Sequence, residues 1–279
     1  MLRRLGSRVV ESSGPVVQPA LTIVTPCLNV AATLADTLLS VSLVATLLQQ
    51  RGLELDYLLI DGGSADGTLA IIADFCLSHP YVRVCTQING GPYAAMNVGL
   101  RKAKGVLTHI LNADDLIWDP SAYVVQIERA LFSNTDLILS PIVYFKRPGH
   151  RLQAAWPLPA VPDDLQRWHC QIRNGLHYPH PGFIARTLIY RTSGFDERFH
   201  LSADYKLMQS TLLALSDLRQ ITCSDQVLVA MATGGLTARW RSVLLGYFQL
   251  SAINRELAVS YPFWRRYGMK VLRRLRFRR

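Results

Sequence analysis

From Leu21 to about Pro141 the chain alternates short apolar runs with longer amphipathic ones. "LTIVTP" leads into a helical pattern from Ala31 to Gln50, "LDYLLID" into one from Thr68 to Ser78, and "YVRVCTQ" into one from Tyr93 to Lys104. "VLTHIL" precedes a further helical stretch, Ser121 to Phe132, and "DLILSPIVYF" follows as another apolar run. Short runs rich in β-branched and aromatic residues read as strands, whereas apolar positions three and four apart read as helices. Alternation at this spacing predicts parallel strands joined by right-handed crossovers, an α/β sheet covered on both faces.

Beyond Pro141 the regularity drops. The proline-rich segment "RPGHRLQAAWPLPAVPDD" predicts a hairpin and then an irregular excursion, which suits a substrate-shaping insert rather than a second core. Periodicity returns in "HPGFIART" and in "SGFDERFHLSADYKLMQSTLLAL", a helix with Ser202 as its expected N-cap and Asp204 in its first turn. "DQVLVAMAT" predicts another strand running into "GGLTARW", and the tail from Trp240 onward is expected to be helical.

Composition narrows the class. With 279 residues, 49% of them hydrophobic, the chain supports a packed core and disorder is not expected. Five cysteines, none in a Cys-x-x-Cys spacing, are expected to be buried free thiols, which favours a reducing cytoplasm. The longest uncharged stretch, Ser12 to Ala35, is broken by Pro15, Pro19 and Pro26, so no membrane-spanning helix is predicted, and the N-terminus lacks the apolar centre of a secretory signal. The net charge of +10 is concentrated at the ends, in Arg3, Arg4 and Arg8 and in the segment Arg265 to Arg279, which holds no acid.

In open α/β sheets, ligands bind outside the carboxyl ends of the strands, so the strand-to-helix turns carry the chemistry. These read "TPCLN", "DGGSADGT", "INGGPYAAMN" and "LNADD". Asp114 and Asp115 cannot both ionise comfortably in a dry site without a compensating cation or several donors. Mg²⁺ or Mn²⁺ bound to a diphosphate would suit one or two such carboxylates; an equally plain reading makes them caps of the following helix. The glycines of the second and third turns permit tight turns or close backbone approach to a ligand, and neither a Walker nor a dinucleotide glycine pattern is present. Asp204, near a helix N-terminus, could take a proton from an attacking hydroxyl or simply cap.

In order and spacing, "TIVTPCLNVAATLADTLLSV", "LLIDGGSADGT", "GGPYAAMNVGLRKAKG", "LNADD", "HYPHPGFIARTLI", "GFDERFHLSADYKLM" and "ATGGLT" resemble the family-two glycosyltransferases of GT-A fold. Within that family they are similar to bacterial enzymes that build colanic-acid-like exopolysaccharides and lipid-linked glycans. The resemblance spans about Leu21 to Thr237. It implies a nucleotide-diphosphate sugar, usually a UDP-sugar, held across the first four turns. Asp61 looks like the carboxylate that reads the base, and Thr25, Pro26 and Asn29 like the lining of the nucleoside pocket. Gly63, Ser64, Gly91, Tyr93, Met96 and Asn97 are expected along the donor site, together with Asn112 and Ala113. Asp114 looks like a ribose contact, Asp115 like the ligand of Mg²⁺ or Mn²⁺, and Asp204 like the general base of an inverting displacement. His180 matches a position near donor and acceptor, and Gly234 and Gly235 match a loop that closes over the site. Asn89, Ala94 and Asn112 depart from the family, which often has Asp there, so sugar selection does not carry over.

The expected division is a basic extension over residues 1–19, a transferase domain over 20–237 with a nucleotide-sugar half to about 141, and a helical basic tail over 238–279. Aromatic and apolar residues interleaved with arginines in that tail suit an anionic membrane surface, so a cytoplasmic protein at the inner face of the cell membrane is expected, with a glycan or lipid-linked acceptor. Binding of nucleic acid by the arm is the competing reading and is not expected. A catalytically silent sugar-nucleotide sensor or scaffold at the membrane is the alternative to an enzyme.

Overall fold

The structure, a computed structural model, describes residues 18–147, 149–233 and 240–260. In chain order its first half runs β1 (Leu21–Cys27), α1 (Leu34–Gln49), β2 (Leu55–Asp61), α2 (Thr68–Ser78), β3 (Val82–Thr86), α3 (Gly91–Lys102), β4 (Leu107–Ile110), β5 (Leu116–Ile117) and α4 (Pro120–Phe132). There follow β6 (Leu137–Leu139), β7 (Ile142–Lys146), β8 (Arg151–Trp156), α5 (Leu165–Arg173), β9 (Phe183–Arg186), α6 (Thr187–Ser193), α7 (Ala203–Ala214), β10 (Ile221–Cys223), β11 (Val229–Ala232) and α8 (Trp240–Glu256).

Seven strands form the main sheet in the order β10-β6-β9-β4-β1-β2-β3. Strands β1 to β4 are parallel, as their crossover helices require. β1 and β2 are apolar and buried along nearly their whole length, because helices cover both faces of the sheet. On one face α1 and α4 contribute Leu38, Val41, Leu48, Tyr123 and Ile127 to the core. On the other, Met96, Leu100, Trp168, Tyr190 and Leu212 form the core.

Three features depart from the expectation. The run "DLILSPIVYF" is two strands in different sheets: β6 lies in the main sheet, and β7 lies in a four-stranded sheet ordered β5-β11-β7-β8. Pro141, at the break, has no N–H for a ladder. Ser140 N–H donates to Gly182 O (2.9 Å), and the contact is so close that a Cβ on Gly182 would lie 2.3 Å from Ser140 O. Second, β9 is antiparallel to both of its neighbours, β4 and β6. Third, the irregular excursion contains α5, capped by Asp164, whose carboxylate accepts from Arg167 N–H (2.7 Å), and anchored by the buried Trp168 and Ile172.

Smaller corrections follow. Ser202 occupies the N-cap position of α7 but makes no capping side-chain bond. The five cysteines are free, yet only Cys27 is fully buried and Cys170 is exposed. Among the described residues no helix is long and apolar enough to cross a membrane.

Candidate active site

Because β1 to β4 run in the same direction, the four turns identified from sequence lie along one edge of the sheet. β1 sits between β2 and β4, so successive connections leave it in opposite directions and open a crevice there. The reversed β9 begins at this same edge, since Ile184 pairs with His109 while Arg186 pairs with Leu107. The reversal brings His180, in the short helix His180–Gly182 just before β9, alongside the fourth turn.

The first two turns are stitched together. Asn29, at φ 52°, accepts from Ala65 N–H through its Oδ1 (2.9 Å), and its own N–H donates to Ser64 Oγ (3.0 Å). Asp66 accepts from Ala31 N–H (3.0 Å) and from Thr68 N–H (2.9 Å), which fixes the start of α2. Asp61 is buried at the end of β2, and its Oδ2 accepts from Gly63 N–H (2.8 Å) and Ser64 N–H (3.1 Å). Gly63 takes φ 91°, a conformation that closes the turn round that carboxylate. The second oxygen keeps acceptor capacity for an N–H of a ligand. Thr25 is fully buried beneath the turn, where its Oγ1 accepts from Tyr57 OH (3.2 Å), while Pro26 is half-buried.

The third turn places Asn89, Gly90 and Gly91 at φ 68°, 97° and 76°, which aims the start of α3 into the crevice. Tyr93 OH donates to Asp204 Oδ1 (2.9 Å), and its ring stacks on Phe195 (centroids 5.4 Å apart). Burial, and then the Asp204 charge, raise the Tyr93 phenol well above its ordinary range, so it stays a donor. Asn97 and Met96 occupy different surroundings from those expected. The Asn97 amide donates to Phe195 O (2.9 Å) and Glu197 Oε1 (2.8 Å), and its Oδ1 accepts from Phe195 N–H (2.8 Å). Met96 is buried in the apolar core.

In the fourth turn the two acids differ. Asp115 is buried; its Oδ1 accepts from Ala232 N–H (2.8 Å) and its Oδ2 from the Asn112 amide (2.9 Å). Burial, and then the neighbouring Asp114 charge, push the Asp115 carboxyl up to about 8. Asp114 is half-buried, and burial raises it too. Helix α1 holds the turn's backbone, with Thr33 Oγ1 donating to Ala113 O (3.0 Å) and Thr37 Oγ1 to Asp115 O (2.8 Å). Arg147, from the β7–β8 hairpin, donates to Asp114 O (3.2 Å) and pairs with Asp36. Among the described residues no cluster of three or more His, Cys, Asp or Glu side chains could cage a metal. The donor set suits instead a hard cation that arrives with a diphosphate and takes a single protein carboxylate.

His180 has a buried Nε2 without a hydrogen-bond partner, and its ring meets Phe195 edge-on (6.0 Å). Burial lowers its pKa, and Asp204 opposes that effect. Beneath it, His109 Nε2–H donates to Pro181 O (3.0 Å) and Nδ1 accepts from Tyr123 OH (2.9 Å). Burial depresses His109 from 6.5 to about 4. The unfolded chain protonates this residue near 6.5 and the folded one does not, so its contribution is complete above pH 6.5 and is lost as pH falls towards 4. Thermal melts should lose about 3 kcal/mol of stability across that window. In His109→Gln the slope should flatten; an unchanged slope would place the acid sensitivity elsewhere.

Sequence reasoning missed Arg147, Phe195 and Glu197. Arg147 was marked only by being a cation directly after the apolar run of β7, and Phe195 by an apolar position in a loop. Gly234 and Gly235 lie outside the described residues.

The chain is 26% identical over 249 residues to the succinoglycan biosynthesis protein ExoO of Rhizobium meliloti, covering 85% of this chain and 67% of that one. A cholesterol galactosyltransferase of Borreliella burgdorferi is 28% identical over 108 residues, 38% of this chain and only 30% of its own length. Among solved structures, TarS 1-349 of S. aureus in complex with UDP-GlcNAc superposes with a TM-score of 0.61 at 16% identity, over 85% of this chain and 70% of that one. A mannosyltransferase from Pyrobaculum calidifontis in complex with GDP-Man and Mn²⁺ gives 0.57 at 15% identity, over 85% and 63%. The fold is that of the GT-A glycosyltransferases. Residues 22–199, which include β1 to β4, all four turns and His180, match the family described as glycosyl transferase family 2, and the chain is a member of that family of glycosyltransferases.

Proposed function

We propose that this chain is an inverting, metal-dependent transferase that moves a sugar from a nucleoside-diphosphate donor, a UDP-sugar, to a hydroxyl of a glycan or lipid-linked acceptor in bacterial polysaccharide synthesis. The observation that carries the reading is the Tyr93–Asp204 hydrogen bond, which joins the donor-side turn to the acceptor-side helix α7 across the crevice. The complexes of similar folds with UDP-GlcNAc and with GDP-Man and Mn²⁺, and the polysaccharide role in the name of the Rhizobium relative, support it.

Asp61 receives an N–H of the base, and the turn around Asn29 and Ser64 walls the nucleoside. Tyr93 occupies Asp204 Oδ1, which leaves Oδ2 for the acceptor hydroxyl. As the acceptor oxygen bonds to the anomeric carbon, its proton passes to Asp204. The bond from that carbon to the diphosphate oxygen breaks on the opposite face, and the nucleoside diphosphate leaves with the electron pair. Asp114 would hold a divalent cation brought in with the donor, and that cation would supply charge neutralisation at the leaving diphosphate. Both Asp115 oxygens already accept hydrogen bonds. Each keeps a second lone pair, so the ligand role expected for Asp115 stands open. Because Asp115 is 1% exposed while Asp114 is half-buried, the first contact with the cation falls to Asp114, and Asp115 shapes the turn. The arginine-rich tail, outside the described residues, carries the protein to the inner face of the membrane.

A thermal-shift screen with Mn²⁺ tests the donor. UDP-sugars should raise the melting temperature, as any ligand selective for the folded state must. If no nucleotide sugar stabilised the protein, the transferase reading would fail. Stabilisation without transfer to any acceptor would favour the silent scaffold.

A further inference from the structure

Helix α8 is fastened along one face to the elements that carry Asp204. Gln249 Oε1 accepts from Leu201 N–H (2.9 Å), and Asn254 Oδ1 accepts from Tyr205 OH (2.9 Å). At its end Glu256 pairs with Lys206 (2.5 Å) on α7 and with Arg198 (3.4 Å). Gln249 and Ile253 are buried on this side.

A period of 3.6 residues puts Leu244, Phe248 and Arg255 on the opposite side, with Leu245 at its margin. That side is open and carries an apolar patch beside Arg255: Leu244 is 54% exposed, Leu245 45% and Phe248 66%. A surface helix normally presents polar residues outward, so leucine and phenylalanine clustered on the outer side mark a contact surface. Shortly after α8 the sequence enters residues 261–279, dense in Lys and Arg and free of acids. Exposed leucine and phenylalanine next to a cationic segment match an anionic lipid surface, the side chains entering the acyl boundary and the cations meeting the head groups. A protein partner would have to supply a greasy patch and an acidic rim together; a lipid bilayer supplies both.

We propose that α8 is a membrane-docking helix, seated by Leu244, Leu245 and Phe248, which holds α7 and Asp204 at a fixed height above an anionic bilayer so that the acceptor hydroxyl is carried by a lipid. The docking stands on the exposed face and on the charge of the segment that follows it, while the statement about the acceptor rests on Asp204 being the base.

Sedimentation of the full chain with vesicles is the test. Wild type should pellet with phosphatidylglycerol-containing vesicles and stay in solution with phosphatidylcholine alone. Leu245→Glu/Phe248→Glu, with the basic tail intact, should weaken that binding about 100-fold, keep the wild-type melting temperature, and keep turnover of a soluble acceptor while losing the preference for a lipid-linked one. Asp204→Asn should bind vesicles like wild type. Equal vesicle binding by wild type and the double variant would overturn the proposal, as would wild type that ignores anionic vesicles. So would a double variant that changes the protein's oligomeric state, because the patch would then face a second copy. Vesicle binding lost in the double variant, with no transfer by any form of the protein, would support docking and sink the transferase reading instead.

Discussion

Asp204→Asn should bind a UDP-sugar with Mn²⁺ as tightly as wild type and transfer its sugar about 10²- to 10⁴-fold more slowly, the range a positioned general base contributes. The substitution keeps the shape of the side chain and the acceptor oxygen that Tyr93 OH contacts, so the crevice should remain intact. What it removes is the second oxygen's capacity to take a proton, since an amide does not act as a base near neutral pH. The readout is therefore a fall in kcat with donor affinity unchanged, an interaction missing only in the transition state. Turnover within a few-fold of wild type would show that Asp204 is not the base. Equal loss of donor affinity would assign it to binding.

The acid pair of the fourth turn should divide in a comparably sharp way. Asp114→Ala should fold normally and lose the Mn²⁺-dependent part of UDP affinity by roughly 100-fold, the scale of the few kcal/mol a bound cation contributes. Asp115→Ala removes the acceptor for both the half-buried Ala232 N–H and the Asn112 amide, and a donor left unsatisfied costs about 1–3 kcal/mol. Its first symptom should be a lower melting temperature without any ligand present. The two are separated by calorimetry of Mn²⁺ with UDP beside a metal-free melt. If Asp115→Ala were fully stable yet blind to Mn²⁺, the roles would revert to the order read from the motif alone.

The regular half of the chain was legible because its information is local. Strands β1 to β4 and the helices between them follow from periodicity, and the parallel crossovers then dictate where the four turns must gather. Beyond Pro141 pairing partners are distant, and local pattern does not say whether a short strand such as β9 runs up or down. α5 was present in the sequence as an Asp cap followed by apolar positions at Leu165, Trp168 and Ile172, but the surrounding prolines masked it. Within the site, residue type located the chemistry without fixing its direction. Tyr93 and Asn97 are four apart on one face of α3, yet Tyr93 meets Asp204 and Asn97 is tied to the Phe195 loop. Asp114 and Asp115 are chemically identical, and only the strand β11, more than a hundred residues later, gives Asp115 a backbone hydrogen bond.

The reversed strand β9 also decides how this enzyme can be recombined. β6 precedes residue 141, yet its ladder partners, β9 and β10, both come from after it. A cut near residue 141 would leave β4 with a bare edge and β6 with no partner at all, two open templates for aggregation. Strands from before and after residue 141 are thus woven into one sheet. Chimeras that import a new acceptor preference must replace loops around the crevice and leave the interleaved strands in place.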